Sequence, residues 1–120
     1  KVNARAIAAG RCTVQQASVA ELPFEAEQFE VVTAFETVYF WPELAQNFRE
    51  VYRVLKPGGT FFICNEANGE TTKDDKWTKI IDGMTIYTDI ALKAYLEQAG
   101  FCQIQSHKNK KGWLCITAQK

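Results

Sequence analysis

The chain has 120 residues, of which 47% are hydrophobic and 23% are charged, as in an ordinary globular domain. Fourteen basic residues balance fourteen acidic ones, which argues against a nucleic-acid-binding surface because such surfaces carry a basic excess. No apolar run approaches the roughly 18 residues of a membrane span. We therefore expect a cytoplasmic domain without nucleic-acid or membrane partners.

The cysteines and the start of the chain carry little functional signal. Four cysteines form no C-x-x-C pair, and one histidine, His107, cannot complete a usual zinc set with them, so we expect no metal site. Cys64 and Cys115 lie in apolar runs and are predicted to be reduced core residues. The chain opens at Lys1 rather than at methionine, which suggests a piece of a longer chain.

The first half of the chain predicts a helix, two strands and a second helix. Residues 2–9 are alanine-rich and precede a glycine, as a helix often does, and residues 12–17 are a short strand candidate. The apolar run at 29–35 is typical of a parallel strand buried on both faces. Apolar residues from Leu44 to Leu55 recur with helical spacing, and Lys56-Pro57-Gly58-Gly59 ends that helix.

The second half begins with a strand at 60–64, followed by an irregular polar segment or short helix at 65–86. Thr88 is a plausible N-cap for a helix that ends before Gly100. Two strands, 101–106 and 113–118, are close enough to form an antiparallel hairpin. The alternation of strands and helices predicts an α/β fold whose sheet is mostly parallel.

The lysines between the last two predicted strands form the most basic run in the chain. Lys108, Lys110 and Lys111 lie beside Gly112. We interpret this run as a solvated turn rather than a phosphate-binding patch. His107, just before it, is expected at the surface.

The stretch from Leu22 to Gly59 contains a set of short motifs in a characteristic order. They are Leu22-Pro23-Phe24, Phe29-Glu30-Val31-Val32, an aromatic segment from Phe35 to Trp41, and Arg53-Val54-Leu55-Lys56-Pro57-Gly58-Gly59. With the closing helix and hairpin, this order resembles the class I S-adenosylmethionine-dependent methyltransferases of the ubiquinone and menaquinone biosynthesis type. The resemblance covers essentially the whole chain from residue 2 onward.

The resemblance implies a Rossmann-like sheet of order 3-2-1-4-5-7-6, of which residues 1–120 would supply strands 3 to 7. The chain would then be a partial methyltransferase domain that lacks strands 1 and 2 and the glycine-rich cofactor loop. Strand 4, at 29–35, would have no strand 1 beside it. We expect its edge to bind a second copy or the missing N-terminal half, unless strand 3 pairs with strand 4 directly.

The resemblance also implies which residues bind S-adenosylmethionine. Ser18 and Val19 align with the family's Asp-Ala pair at the adenine, although Ser18 could equally be a turn residue. Ala34 and Phe35 end strand 4, at the sheet edge where ligands of α/β folds bind. Phe40 follows, and its ring could attract the cofactor's sulfonium.

An alternative role for Phe40 is structural, since Phe40 and Trp41 could attach the next helix to the sheet. The catalytic candidates are Tyr39, Glu36 and Glu66, of which either glutamate could act as a general base or simply be a solvated loop acid.

The expected function of the intact enzyme is methyl transfer from S-adenosylmethionine to a small-molecule acceptor. The segment 65–86 is expected to cover that acceptor. The isolated chain is expected to be inactive. The alternative is a non-catalytic fragment or binding module that keeps the fold without the cofactor site.

Overall fold

The computed structural model describes residues 2–120, which form a four-stranded mixed sheet in the order β1-β2-β4-β3. The strands are β1 (Phe29–Phe35), β2 (Leu55–Asn65), β3 (Cys102–Lys108) and β4 (Leu114–Gln119). The helices are α1 (Ala4–Ala8), α2 (Leu44–Val54), α3 (Thr72–Ile80) and α4 (Asp89–Ala99), with a 3-10 turn at Val38–Phe40.

The strand pairing confirms the predicted Rossmann-like arrangement for this part of the sheet. Strands β1 and β2 are parallel, and Phe35 lies opposite Cys64. Strands β2 and β4 are antiparallel, with Cys64 opposite Cys115. The closing hairpin of β3 and β4 is antiparallel as expected. The observed order matches strands 4-5-7-6 of the seven-stranded sheet.

The strand predicted at residues 12–17 does not form. This part of the chain is extended and mostly exposed, with Val14 81% exposed, and the nearest pairing is a single bridge between Ser18 and Glu21. A strand of six residues is stable only within a ladder of hydrogen bonds. Within residues 2–120, β1 pairs with β2 and with no other strand, so the idea that strand 3 closes onto strand 4 is wrong for this chain.

Strand β1 is buried on one face, not on both as its apolar run predicted. Ala34 is 3% exposed, whereas Val31 and Phe35 are each 57% exposed. The reason is that the core-forming helices α2 and α4 pack together and cover the same side of the sheet. Their buried residues form one cluster with Phe61 and Ile63 of β2.

Helices α2 and α4 end close to the predicted signals, but β2 begins at Leu55 and so contains the Lys56–Gly59 segment that was predicted to separate the helix from the strand. The segment after α2 pairs with the end of the chain, because the Gly58 N–H donates to the Lys120 carbonyl at 2.9 Å. A side chain at Gly59 would place its Cβ 2.8 Å from the Lys56 carbonyl oxygen, so only glycine fits there. At α4, the Thr88 hydroxyl accepts a hydrogen bond from the Ala91 N–H, as an N-cap should.

A polar clamp joins the Leu22-Pro23-Phe24 motif to α2. The Arg53 guanidinium donates to the carbonyls of Phe24 and Leu22 at 2.9 and 3.1 Å. Glu50 accepts from the Leu22 N–H at 2.9 Å and pairs with Arg53. These contacts explain why the two motifs occur together in the sequence, since side chains of α2 satisfy backbone groups of the Leu22-Pro23-Phe24 motif.

Candidate active site

The three catalytic candidates meet in one cavity at the carboxyl ends of the parallel strands. Glu36 directly follows β1, Glu66 directly follows β2, and Tyr39 lies in the 3-10 turn between β1 and α2. All three line a cavity of about 410 Å³. Crevices at the carboxyl edge of such sheets are the usual ligand sites of α/β folds.

The hydroxyl of Tyr39 is held by the backbone of the loop after β2. It accepts from the Ala67 N–H at 2.8 Å and donates to the Ala67 carbonyl at 3.3 Å. Tyr39 is 3% exposed, and burial, opposed by the Ala67 hydrogen bond, raises the pKa of its hydroxyl far above the ordinary tyrosine value. Tyr39 therefore stays protonated at neutral pH and joins the two strand ends.

Glu36 makes a second connection between the same strand ends. Its carboxylate accepts a hydrogen bond from the Glu66 N–H, and its own N–H donates to the Cys64 carbonyl at 3.0 Å. Glu36 adopts a left-handed backbone conformation, with φ of 55°. Such a conformation is uncommon outside glycine and is maintained by surrounding contacts, which here are these two hydrogen bonds.

Of the two candidate glutamates, Glu66 is the one whose carboxylate makes no hydrogen bond or ion pair within residues 2–120. The Glu66 backbone N–H donates to the Glu36 carboxylate. It is exposed to solvent at the cavity. A carboxylate in this position is free to accept a proton from a bound molecule.

Helix α3 and its flanking loops, which lie within the segment 65–86, supply much of the cavity lining. Trp77 and Met84 contribute apolar surface to the lining, whereas Ile80 points away and is 71% exposed. No residue of α3 is buried. Hydrogen bonds hold both ends of this segment. The Asp74 carboxylate accepts from the Gly69 N–H at 3.0 Å, and the Thr85 N–H donates to the Tyr39 carbonyl at 2.9 Å.

The basic turn is exposed, as the prediction of a solvated turn had it, but it also contacts the rest of the site. Lys108 pairs with Glu70, before α3, and with Asp89 at the start of α4. Lys111 lines the cavity. Asn68, which is buried, donates to the Gly112 carbonyl at 2.7 Å and so brings this turn to the loop after β2. His107 is exposed, as expected.

None of the residues expected to bind the cofactor is part of the lining of this cavity. Ala34 is buried at the end of β1, and Phe35 and Phe40 are 57% and 49% exposed. Ser18 is exposed, and its hydroxyl accepts from the Ala20 N–H at 3.2 Å, which is a turn contact. Val19 packs against the core.

The two neighbouring aromatic residues have different roles. Trp41 packs against Phe48 of α2 and Phe61 of β2, with ring centroids 6.1 and 6.3 Å apart. Trp41 therefore attaches α2 to the sheet, which is the structural role proposed for the Phe40-Trp41 pair. Phe40 lies half exposed against Tyr39 and is available to a ligand.

The polar lining from Thr71, Lys73, Asp74 and Lys111 was not expected from the sequence. These residues come from the segment around α3 and from the β3–β4 turn, which meet only in the folded chain. The Asn68-Gly69 turn is the one local signal in the sequence for the bend that brings them together. Among residues 2–120, no three histidine, cysteine or acidic side chains are arranged to hold a metal ion.

Comparison with known proteins decides the family. Residues 1–63 match the model of a methyltransferase domain. The chain belongs to this methyltransferase family. A sterol 4-C-methyltransferase of Caenorhabditis elegans is 38% identical over 67 residues, which are 55% of this chain and 20% of the relative. A ubiquinone/menaquinone biosynthesis C-methyltransferase of Bartonella henselae is 38% identical over 61 residues, which are 51% of this chain and 24% of the relative.

Solved structures support the fold of this methyltransferase domain. A SAM-dependent methyltransferase of Thermotoga maritima superimposes with a TM-score of 0.77 at 18% identity, covering 95% of this chain and 67% of that one. The chain spans only about a fifth to a quarter of the length of the two curated relatives. In the described part, residues 2–120, no helix has the length and apolar character needed to cross a membrane.

Proposed function

We propose that this chain forms the acceptor side and part of the cofactor side of an S-adenosylmethionine-dependent methyltransferase that acts on a small molecule. The observation that carries the proposal is the cavity in which Glu36, Tyr39 and Glu66 meet at the carboxyl ends of two parallel strands. When bound, the cofactor supplies an activated methyl group on a sulfonium. The protein's part is to position the acceptor and accept its proton.

The residues predicted to bind the cofactor would contact one side of it. Phe35 and Phe40 both follow the buried part of β1 and each leaves about half of its surface exposed. Aromatic faces attract a cation by about 0.5–2 kcal/mol. We propose that the backbone N–H of Val19 and the hydroxyl of Ser18 bind the adenine. The small side chain of Ala34 would leave room for the cofactor at the end of β1. The fit covers one side only, because no G-x-G motif occurs in the chain.

Within the cavity, Glu66 is the proposed general base. Its carboxylate is free, whereas Glu36 is occupied by the Glu66 N–H and Tyr39 by Ala67. Glu36 and Tyr39 act as positioning residues that hold the two strand ends together. Trp77 and Met84 supply the apolar wall against which an acceptor with an apolar portion would pack.

The free edge of β1 supports a further part of the proposal, namely that another strand pairs there. In the sheet of residues 2–120, β1 is the terminal strand, and its side chains Val31 and Phe35 remain largely exposed. An apolar edge with unpaired backbone groups favours association with a further strand. We propose that a second copy, or the missing N-terminal half of the domain, supplies that strand.

Photocrosslinking tests the cofactor assignment without knowledge of the acceptor. Trypsin releases residues 12–49 as one peptide, which contains Ser18, Val19, Ala34, Phe35 and Phe40. Ultraviolet irradiation with methyl-labelled S-adenosylmethionine should label this peptide, and excess unlabelled S-adenosylhomocysteine should remove the label. Label confined to other peptides would contradict the cofactor site, and no competable label would favour the binding-module alternative.

Titration calorimetry measures how much of the cofactor site the chain contains. We expect residues 1–120 alone to bind S-adenosylmethionine more weakly than micromolar, because only one side of the cofactor is contacted. A micromolar dissociation constant would show that the chain holds a complete site.

The role of Glu66 is tested in the complete enzyme by the rate of methyl transfer. Glu66→Gln should reduce turnover by about 100-fold, as loss of a general base does. Asp82→Asn, a change in the same segment but outside the cavity lining, should leave turnover unchanged. Equal rates for the two variants would show that Glu66 is a solvated loop acid and not the general base.

A further inference from the structure

Two thiols lie next to each other on neighbouring strands, at the end of the sheet that carries the cavity. Cys64 of β2 is directly opposite Cys115 of β4, and their sulfur atoms are 3.4 Å apart. Directly opposed residues of antiparallel strands have Cα atoms about 4.5–5.5 Å apart. That spacing lies within the range of disulfide-bonded pairs, so the backbone need not move for a bond to form.

The pair is on the accessible face of the sheet. Along β2, Ile63 and Asn65 point into the core, and Cys64 between them points to the opposite face and is only partly buried. Cys115 alternates in the same way with the buried Leu114 and Ile116 of β4. Helices α2 and α4 cover the other side, so within residues 2–120 both thiols remain partly exposed.

The surroundings disfavour the thiolate of Cys64, which is the reactive form of a cysteine. Burial is the main cause, and the neighbouring Cys115 a smaller one, that raises the pKa of the Cys64 thiol to about 11. His107 of β3 lies opposite Cys115 in the same row of the sheet. Opposed side chains have Cβ atoms about 5 Å apart, so the imidazole lies on the same face of the sheet as the Cys115 thiol.

We propose that Cys64 and Cys115 are a modification site at which a disulfide such as glutathione disulfide joins β2 to β4. One thiolate attacks a sulfur of glutathione disulfide and releases one glutathione. The second thiolate then displaces the bound glutathione and closes the Cys64–Cys115 bond. Two protein thiols are oxidised, one disulfide is reduced to two glutathione molecules, and the two thiol protons end on the released thiolates.

Bond formation would act directly on the candidate active site. The sulfur atoms must approach from 3.4 Å to about 2.05 Å. The Cys64 carbonyl accepts from the Glu36 N–H, and Glu66 follows two residues later. The oxidised pair would therefore fix the strand end from which Glu36 and Glu66 extend.

Peptide mapping after oxidation tests the proposal and does not depend on methyltransferase activity. The four cysteines fall in four different tryptic peptides: 12–49, 54–73, 94–108 and 112–120. Incubation with glutathione disulfide and alkylation of the remaining thiols should give the linked pair of peptides 54–73 and 112–120. This link should exceed every other pairing by about tenfold, because its two thiols are held together. Dithiothreitol should remove it.

Two variants test whether the disulfide forms specifically between Cys64 and Cys115. With Cys12→Ser and Cys102→Ser combined, oxidation should still remove two hydrogen atoms from the chain and lower its mass by about 2 Da, since Cys102 is opposite Gln119, away from the site. With Cys115→Ser, Cys64 should instead gain a glutathione. Mixed glutathione adducts on all four cysteines, without the 54–73 to 112–120 link, would overturn the proposal. So would links that involve Cys12 or Cys102 at an equal rate.

Discussion

Phe40 and Trp41 are neighbours in sequence, but the fold gives them separate environments. The Trp41 ring contacts two core rings, whereas Phe40 is 49% exposed. We expect Phe40→Ala to lower affinity for S-adenosylmethionine in the complete enzyme by about tenfold and stability by less than about 1 kcal/mol. The control Trp41→Ala should lower the free energy of unfolding by about 3 kcal/mol. Calorimetric titration and denaturant unfolding separate the effects, and a Phe40→Ala chain that unfolds like Trp41→Ala would make Phe40 structural.

Asn65 is a second residue whose role depends on its partners. It is fully buried at the end of β2, and both polar atoms of its amide lack a hydrogen-bond partner among residues 2–120. A buried polar group without a partner costs about 1–3 kcal/mol. We therefore expect Asn65→Leu to raise the free energy of unfolding by about 1 kcal/mol.

Asn47 provides the matched control for this change. It is equally buried, but its amide donates to the Pro42 carbonyl. Asn47→Leu should lower the free energy of unfolding by about 1–3 kcal/mol, because a made hydrogen bond is lost. Urea unfolding of both variants checks the opposite signs. Destabilisation by Asn65→Leu would mean that Asn65 has a partner in solution.

At the scale of elements, the clamp between α2 and the Leu22 segment should make folding sensitive to acid. The hydrogen bond from Arg53 is the main cause that lowers the pKa of Glu50 below its ordinary value. A carboxyl group with a lowered folded-state pKa contributes stability above its unfolded pKa, and that contribution is lost as the pH falls through the folded value. The loss should therefore begin below about pH 4.5.

Unfolding at pH 7 and at pH 3 measures this contribution. We expect Glu50→Gln to be less stable than the natural chain at pH 7 and to lose less stability on acidification. Glu30→Gln is the control, because the Glu30 carboxylate is 82% exposed and its ion pair with Lys56 is on the surface. Its pH dependence should match that of the natural chain. The clamp would be unimportant if both variants behaved alike.

For the whole molecule, we propose that the uncovered edge of β1 mediates association of the chain. We expect a dimer or larger assembly at tens of micromolar, and we expect Val31→Lys to shift it toward monomer, because a lysine on an edge strand opposes pairing. Ile90→Lys is the control, since Ile90 is 79% exposed but lies on α4, away from that edge.

Light scattering at several concentrations gives the molar mass of each variant. A natural chain that is monomeric at tens of micromolar would contradict association through β1. Dissociation by Ile90→Lys alone would place the interface on the helices instead.

Local patterns predicted most elements because their signals act over a few residues. The Thr88 cap, the helical spacing in α2 and the closing hairpin all appear where expected. The site was harder to predict. The meeting of Glu36, Tyr39 and Glu66 in one cavity could be predicted because residues after parallel strands lie at one edge of the sheet, whereas Lys111 comes from the β3–β4 turn, which the Asn68–Gly112 hydrogen bond joins to the loop after β2.

By itself, the sequence determined the family and, through the resemblance to that family, the strand order from 29 onward and the sheet edge expected to bear the candidate site. It did so because motif order, apolar spacing and caps are properties of short segments. Only the tertiary structure decided that residues 12–17 remain unpaired, that β1 is buried on one face and that Cys64 meets Cys115. Each of these depends on which distant segment lies alongside, since a strand is stable only with a partner and a side chain is buried only when another element covers it.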